Sequence, residues 1–97
     1  SIPCEHLKSL LRDANVSFEE EVQPLKNRFF ALDIAFVEKK IGIEVNGNQH
    51  YNRDGTLKKY YADRHSLLEQ NGWKVIELHY AKCYSVDVIQ EIQALLK

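Results

Sequence analysis

The sequence predicts an α+β fold, a central mixed β-sheet with helices against it in the order α-β-β-β-α-β-α. Three observations carry that expectation. Stretches of strict polar–apolar alternation, the signature of half-buried strands, are interleaved with stretches whose apolar residues recur every three to four positions, the signature of helices. Turn-forming residues punctuate the boundaries between them. Three strands come in succession before the helix that leads to the fourth, so antiparallel neighbours are expected first and a crossover afterwards.

Pro3 and Glu5, followed by Leu7, Leu10, Leu11 and Ala14, predict an amphipathic helix running to about Asn15. Val16 to Val22 alternates Val16, Phe18, Glu20 and Val22 with Ser17, Glu19 and Glu21, a strand that ends near Pro24. Arg28 to Val37 and Ile41 to Asn46 are two further strand-like runs joined by the polar Glu38-Lys39-Lys40, and together they predict a hairpin. The dense turn formers Asn46, Gly47, Asn48, Asn52, Asp54 and Gly55 then take the chain out of the sheet. Helical spacing resumes over Thr56 to Asn71 through Leu57, Tyr60, Tyr61, Arg64, Leu67 and Leu68, and Gly72 stands where a helix stops. Trp73 to Tyr80 alternates as the fourth strand. Asp87 is placed to cap a last helix carrying Val88, Ile89, Ile92, Leu95 and Leu96.

Ninety-seven residues suffice for one core, and residues 1–97 read as a single domain. With no methionine and a start at Ser1, the chain reads as a piece of a longer protein whose flanks carry a separate DNA-recognition region. No apolar run approaches a bilayer span and no secretory signal is recognisable, so an intracellular protein without a membrane partner is expected. Cys4 and Cys83 lack metal-type spacing and are expected to be reduced, buried thiols. The formal net charge of -1 removes a composition-level argument for nucleic acid. Any such contact must come from a local patch, for which Lys8, Arg12, Lys26, Arg28, Lys39, Lys40, Arg53, Lys58, Lys59 and Arg64 are available.

The hairpin holds the chemistry. Alternate residues share a face, so Ala31, Asp33, Ala35 and Val37 are expected on one side and Leu32, Ile34 and Phe36 on the other. Gly42, Glu44 and Asn46 oppose Ile41, Ile43 and Val45 in the next strand. A turn centred on Glu38-Lys39 sets Asp33 directly across from Glu44, and two like charges so placed need a partner. A divalent cation such as Mg²⁺, which takes hard oxygen ligands together with water and phosphate, would neutralise them. The plainer alternative is a solvated pair balanced by Lys39, Lys40 or Lys74. The run Glu44-Val45-Asn46-Gly47-Asn48-Gln49-His50 favours the cation, since the strand leads directly into a polar turn carrying a histidine able to move protons near neutral pH. Asp63-Arg64 offers another acid and base on a helix that must pack on the sheet. Glu5 has an equally good structural role at a helix N-terminus.

These residues resemble the PD-(D/E)xK nuclease superfamily, with its restriction-endonuclease-like fold. Within it they are similar to the very-short-patch-repair mismatch endonuclease and to homing endonucleases with an E-D-x-H-D residue set. The matching features are Glu5 in the first helix, Asp33 in the hairpin, His50 after Asn46-Gly47, Asp63 in the following helix, and Gly72-Trp73-Lys74-Val75-Ile76. The resemblance implies a Mg²⁺- or Mn²⁺-dependent endonuclease acting on double-stranded DNA. Asp33 would bind metal with a backbone carbonyl near Val45, and Glu44 is a further candidate ligand. His50 would handle protons, while Glu5 and Asp63 would hold metal-bound waters or orient the histidine. Arg53, Lys58 and Arg64 are expected DNA contacts. The superfamily lysine two residues past the second acid is Asn46 here, and the cysteines of the mismatch enzyme's zinc site have no counterparts. A mobile-element homing endonuclease therefore ranks above a mismatch or repair nicking enzyme. A non-catalytic nucleic-acid-binding or oligomerising module of the same fold is the contrasting class, with self-association open in either. A ββα-metal site built on Asn46 to Asn52 ranks lower, because His65 is a poor second histidine.

Overall fold

A computed structural model describes residues 1–97 and has the expected order of elements. Helix α1 spans Ile2–Asp13, strand β1 Glu19–Val22, β2 Leu32–Phe36, β3 Ile41–Asn46, helix α2 Lys59–Gln70, strand β4 Lys74–His79 and helix α3 Val86–Leu95. Short 3₁₀ turns occupy Val37–Lys39, Asn48–His50 and Tyr80–Tyr84. The sheet order is β1-β2-β3-β4, with the first two pairings antiparallel and β3–β4 parallel. Helix α2 makes the crossover that the parallel pairing needs.

Sequence explains the boundaries. Ser1 accepts a hydrogen bond from the Cys4 amide at 3.3 Å, Pro3 sits in the first turn, and Cys4, Leu7, Lys8 and Leu11 form the buried stripe of α1. Helix α2 ends at Asn71, and Gly72 follows at φ +87°, a left-handed conformation that glycine adopts without a Cβ penalty. The helix begins at Lys59 rather than Thr56. Asn52 donates to the Thr56 hydroxyl at 3.1 Å and Asp54 accepts from the Thr56 amide at 3.0 Å, which holds Thr56 in a turn that competes with the helix. Ser85, not Asp87, is the N-cap of α3, and Asp87 lies in its first turn.

Two apolar layers sandwich the sheet. On one face Ile34, Phe36, Ile41, Ile43 and Leu78 pack beneath Leu7 and Leu11 of α1, Cys83, and Val88 and Ile92 of α3. On the other, Ala35, Val75 and Trp73 pack with Leu68 of α2 and with Leu25 and Phe30 of the loop between β1 and β2. That loop corrects the expected strand from Arg28. It folds back over the sheet to pack the half-buried Leu25 and Phe30 against it, so β2 starts only at Leu32. The first strand is shortened likewise, starting at Glu19 instead of Val16.

Leu32 also departs from the expected alternation, since it packs with Ala35 and not with Ile34 and Phe36. The side-chain order slips at Asp33, where the backbone leaves the ladder: the Asp33 amide donates to the Glu44 carboxylate at 3.1 Å. Opposite, Glu21 of β1 takes a left-handed φ of +51°. Leu32 consequently covers Gly42, and a Cβ built there would lie 2.6 Å from its Cδ1. Gly42→Ala is expected to lower stability by about 1–3 kcal/mol through overpacking, read as a reduced urea midpoint with an unchanged slope.

Both cysteines are free and buried, as expected. Burial, with help from Cys4 and Asp33, pushes the Cys83 thiol up to about 11. The unfolded thiol ionises near 9, so between these values the folded chain holds a proton that the unfolded chain has lost. Stability is therefore expected to fall as pH rises from about 9 to about 11, and Cys83→Ala to flatten that decline in pH-dependent denaturation.

Candidate nucleic-acid-processing site

The site is built on the open end of the β2–β3 hairpin. The register Ile34–Ile43, Ala35–Gly42, Phe36–Ile41 extrapolates to Asp33 opposite Glu44, as the turn position predicted. Here the two carboxylates trade places with the ladder. The Asp33 amide donates to Glu44 Oε1 at 3.1 Å, and the Val45 amide donates to Asp33 Oδ2 at 2.8 Å. Each acid thus binds the backbone of the opposite strand, and charge-assisted bonds of this kind are about twice as strong as neutral ones.

The charge of Glu44 is balanced from α2. Arg64 pairs with Glu44 Oε2, and its guanidinium lies 4.8 Å from the centroid of the Phe30 ring. Glu44 is only 5% exposed, so this ion pair is largely cut off from solvent. Burial lowers the pKa of Arg64, against the nearby charges of Glu77 and Asp33, which raise it. Neither Lys39, Lys40 nor Lys74 takes this role, and Lys40 instead donates to the Asn71 carbonyl at 3.2 Å. Arg64, expected as a DNA contact, is turned inward. Arg53 and Lys58 remain exposed in the segment after His50, where the Lys58 amide donates to the His50 carbonyl at 2.8 Å.

Asn46, the residue in the lysine position, is buried and donates to Glu77 Oε1 at 2.8 Å and to the Tyr51 hydroxyl at 3.3 Å. Glu77 Oε2 in turn meets His65 Nδ1 at 2.7 Å, and His65 Nε2 meets Glu69 at 2.9 Å. A polar chain from Tyr51 to Glu69 therefore ties the end of β3 to β4 and α2. Glu77 was not foreseen as part of it. The signal was present in the alternation of Trp73 to Tyr80, where the parallel register sets Glu77 beside Glu44 and His79 beside Asn46.

His50 closes the 3₁₀ turn after β3, and its ring stacks on Tyr61 of α2 at 3.8 Å between centroids with planes 20° apart. Its Nδ1 is buried and has no hydrogen-bond partner among the protein groups. Glu5 and Asp63 do not join it. Glu5 is bonded to Lys8 at 3.0 Å, and that hydrogen bond holds its carboxyl below the usual range. Lys8 is itself buried, which disfavours its ammonium, but Glu20 at 2.9 Å together with Glu5 outweighs burial and raises its pKa. Asp63 is exposed and paired with Lys59 at 2.7 Å. In the structure neither acid orients His50.

No three His, Cys, Asp or Glu side chains converge in a metal-ligating cluster. The donor chemistry fits a Mg²⁺ ion at one place. Asp33 engages one carboxylate oxygen with the Val45 amide, which seats the carboxylate beside the Val45 peptide. The N–H and C=O of a strand residue point to the same side, so a carboxylate oxygen and the Val45 carbonyl would be the protein ligands, with water and phosphate oxygens completing the shell. Glu44, expected among the ligands, has one oxygen on an amide and the other on Arg64.

No helix is long and apolar enough to cross a membrane. The fold is similar to that of "Homing Endonuclease I-Bth0305I Catalytic Domain", with a TM-score of 0.68 and 22% identity over 94% of this chain and 89% of that one. No curated protein matches the chain. The RAP domain model matches residues 43–97, which include β3 from Ile43 onward, all of α2, β4 and α3, and Glu44, Asn46, His50 and Arg64. With more than half of its residues matched, the chain belongs to the RAP domain family.

Proposed function

We propose that this chain is a nuclease domain that hydrolyses DNA phosphodiester bonds at the Asp33–Val45 corner, of the kind found in homing endonucleases with an E-D-x-H-D set. The observation that carries the reading is the pair of crossed side-chain-to-backbone bonds at the open end of the hairpin, which fixes an acid against a strand backbone. The fold likeness to a homing endonuclease catalytic domain and the membership of the RAP family, a nucleic-acid-binding module, support a nucleic-acid substrate.

The roles of the residues follow from their placement. Asp33 and the Val45 carbonyl would hold a Mg²⁺ or Mn²⁺ ion, which when bound polarises a phosphate and makes water more acidic. Arg64 keeps Glu44 from adding a second negative charge where a phosphate must approach. His50, whose buried Nδ1 lacks a protein partner, is the group for proton transfer. Arg53 and Lys58, exposed next to it, would hold flanking phosphates.

A second reading has its own observation. The enclosed Glu44–Arg64 pair and the bonded Asn46 leave Asp33 as the single unpaired acid at the open end of the hairpin, as suits a non-catalytic nucleic-acid-binding module. Incubation of end-labelled DNA with the chain, in Mg²⁺ or in EDTA, separates the two. The nuclease reading expects Mg²⁺-dependent cleavage that His50→Ala slows by about 10²–10⁴-fold. Binding of the labelled DNA without cleavage in either buffer would establish the module instead.

A further inference from the structure

Phe29 is 97% exposed, the most solvent-facing of the large apolar residues. Its neighbours explain why it cannot turn in. Leu25 and Phe30 anchor the β1–β2 loop against Leu32, Trp73 and Leu68, Phe30 lies against Arg64, and Gln23 clasps the Arg28 carbonyl at 2.6 Å. The loop is thus held at both sides of Phe29, and an aromatic ring is presented to solvent at a free-energy cost that burial elsewhere would avoid.

The residues just before Phe29 in the same loop form one wall of a cleft of about 530 Å³, with Lys26, Arg28, Lys40, Leu67, Asn71 and Trp73 in its lining. No carboxylate lines it. Lys26, Arg28 and Lys40 take part in no ion pair, and the two with hydrogen bonds, Arg28 and Lys40, give them to the neutral Asn27 and Asn71 carbonyls. In a chain of net charge -1, three uncompensated cations in one concavity are a local positive site.

We infer that this cleft and Phe29 bind an unpaired stretch of nucleic acid, with phosphate held by Lys26, Arg28 and Lys40 and a base stacked on the Phe29 ring. The inference rests on the nucleic-acid reading above and adds a strand preference and a second binding surface to it. A cationic groove with an exposed aromatic residue next in the chain to one of its cations, as Phe29 follows Arg28, is a combination that single strands use, because every base offers a π-face once it is unstacked. A duplex keeps those faces stacked, and the cleft has the volume of a small-ligand site.

The test is fluorescence anisotropy in EDTA with a labelled oligonucleotide of about 15 nucleotides, as a single strand and as its duplex. The chain is expected to bind the single strand more tightly. Phe29→Ala is expected to weaken that binding by roughly tenfold. The triple Lys26→Ala, Arg28→Ala, Lys40→Ala variant is expected to reduce the slope of log affinity against log salt by about 2, at roughly 0.7 for each phosphate that is no longer neutralised. Phe29, Lys26, Arg28 and Lys40 are exposed, and the bond from Lys40 to the Asn71 carbonyl is an exposed one, so circular dichroism should report a parent-like fold. Equal or tighter duplex binding, or single-strand binding within twofold of the parent in both variants, would overturn the inference. Asp33→Asn, measured for single-strand binding in EDTA and for DNA cleavage in Mg²⁺, keeps the two proposals apart. If it binds the single strand as the parent does but loses the cleavage that the parent shows in Mg²⁺, the nuclease reading stands whatever the cleft variants do. If the parent binds through the cleft and never cuts, the cleft stands without it.

Discussion

Asp33→Asn is expected to abolish phosphodiester cleavage, by at least about a thousandfold, while leaving the chain folded. An asparagine oxygen can still accept the Val45 amide that Asp33 now holds at 2.8 Å, so the end of the hairpin keeps its geometry. What disappears is the negative charge that would bind a cation, and charge stabilisation by such an ion is worth several kcal/mol in a transition state, where each 1.36 kcal/mol is about tenfold in rate. Asp33→Ala removes the acceptor as well. The Val45 N–H then loses its partner, and about 1–3 kcal/mol of stability should go with it. Cleavage rates and urea midpoints of the two variants, measured together, therefore divide the catalytic role proposed for Asp33 from its structural one.

The second large effect is expected at Arg64. Arg64→Ala leaves the Glu44 carboxylate, 5% exposed, without its counter-charge, and stripping one partner from a buried ion pair costs about 3–5 kcal/mol. In a domain of this size that loss corresponds to a fall in Tm of roughly 15 °C or more. Arg64→Lys should recover only part of it, because an ammonium does not reproduce the planar fork or its stacking against Phe30. Adding Glu44→Gln to Arg64→Ala should restore most of the lost stability: the glutamine oxygen can still accept from the Asp33 amide, and no buried charge remains. A double variant no more stable than Arg64→Ala would show that packing against Phe30, and not charge balance, is what Arg64 supplies.

The sequence was most informative where local physics decides the structure. Ile41–Asn46 stands at the predicted bounds because strict alternation runs into an Asn-Gly turn, and Asp33 faces Glu44 because the hairpin turn falls at Glu38-Lys39. The need for a partner to those acids was also legible, since two carboxylates face each other across one ladder. Its identity was not. Arg64 reaches Glu44 across 20 residues of chain, and whether a guanidinium or a cation answers that charge depends on where α2 lands on the sheet. Leu32 breaks the alternation for the same reason: a side chain from the other strand captures the Asp33 amide, which no period of two encodes. Arg28 to Ala31, the end of the loop after β1, reads as strand because Phe29, Phe30 and Ala31 are aromatic and aliphatic. Phe30 is apolar because, with Leu25, it covers the sheet from above. His50 was singled out by its place after Asn46-Gly47, but the Tyr61 ring beneath it comes from the next helix.

The most direct test of the account is nicking of supercoiled plasmid by the purified chain across a Mg²⁺ titration, run beside Asp33→Asn. Nicking that rises with Mg²⁺ in the parent and is absent from the variant at every concentration is the predicted result. Equal nicking by the two proteins, or a parent that binds the plasmid and leaves it intact at all Mg²⁺ concentrations, would contradict it.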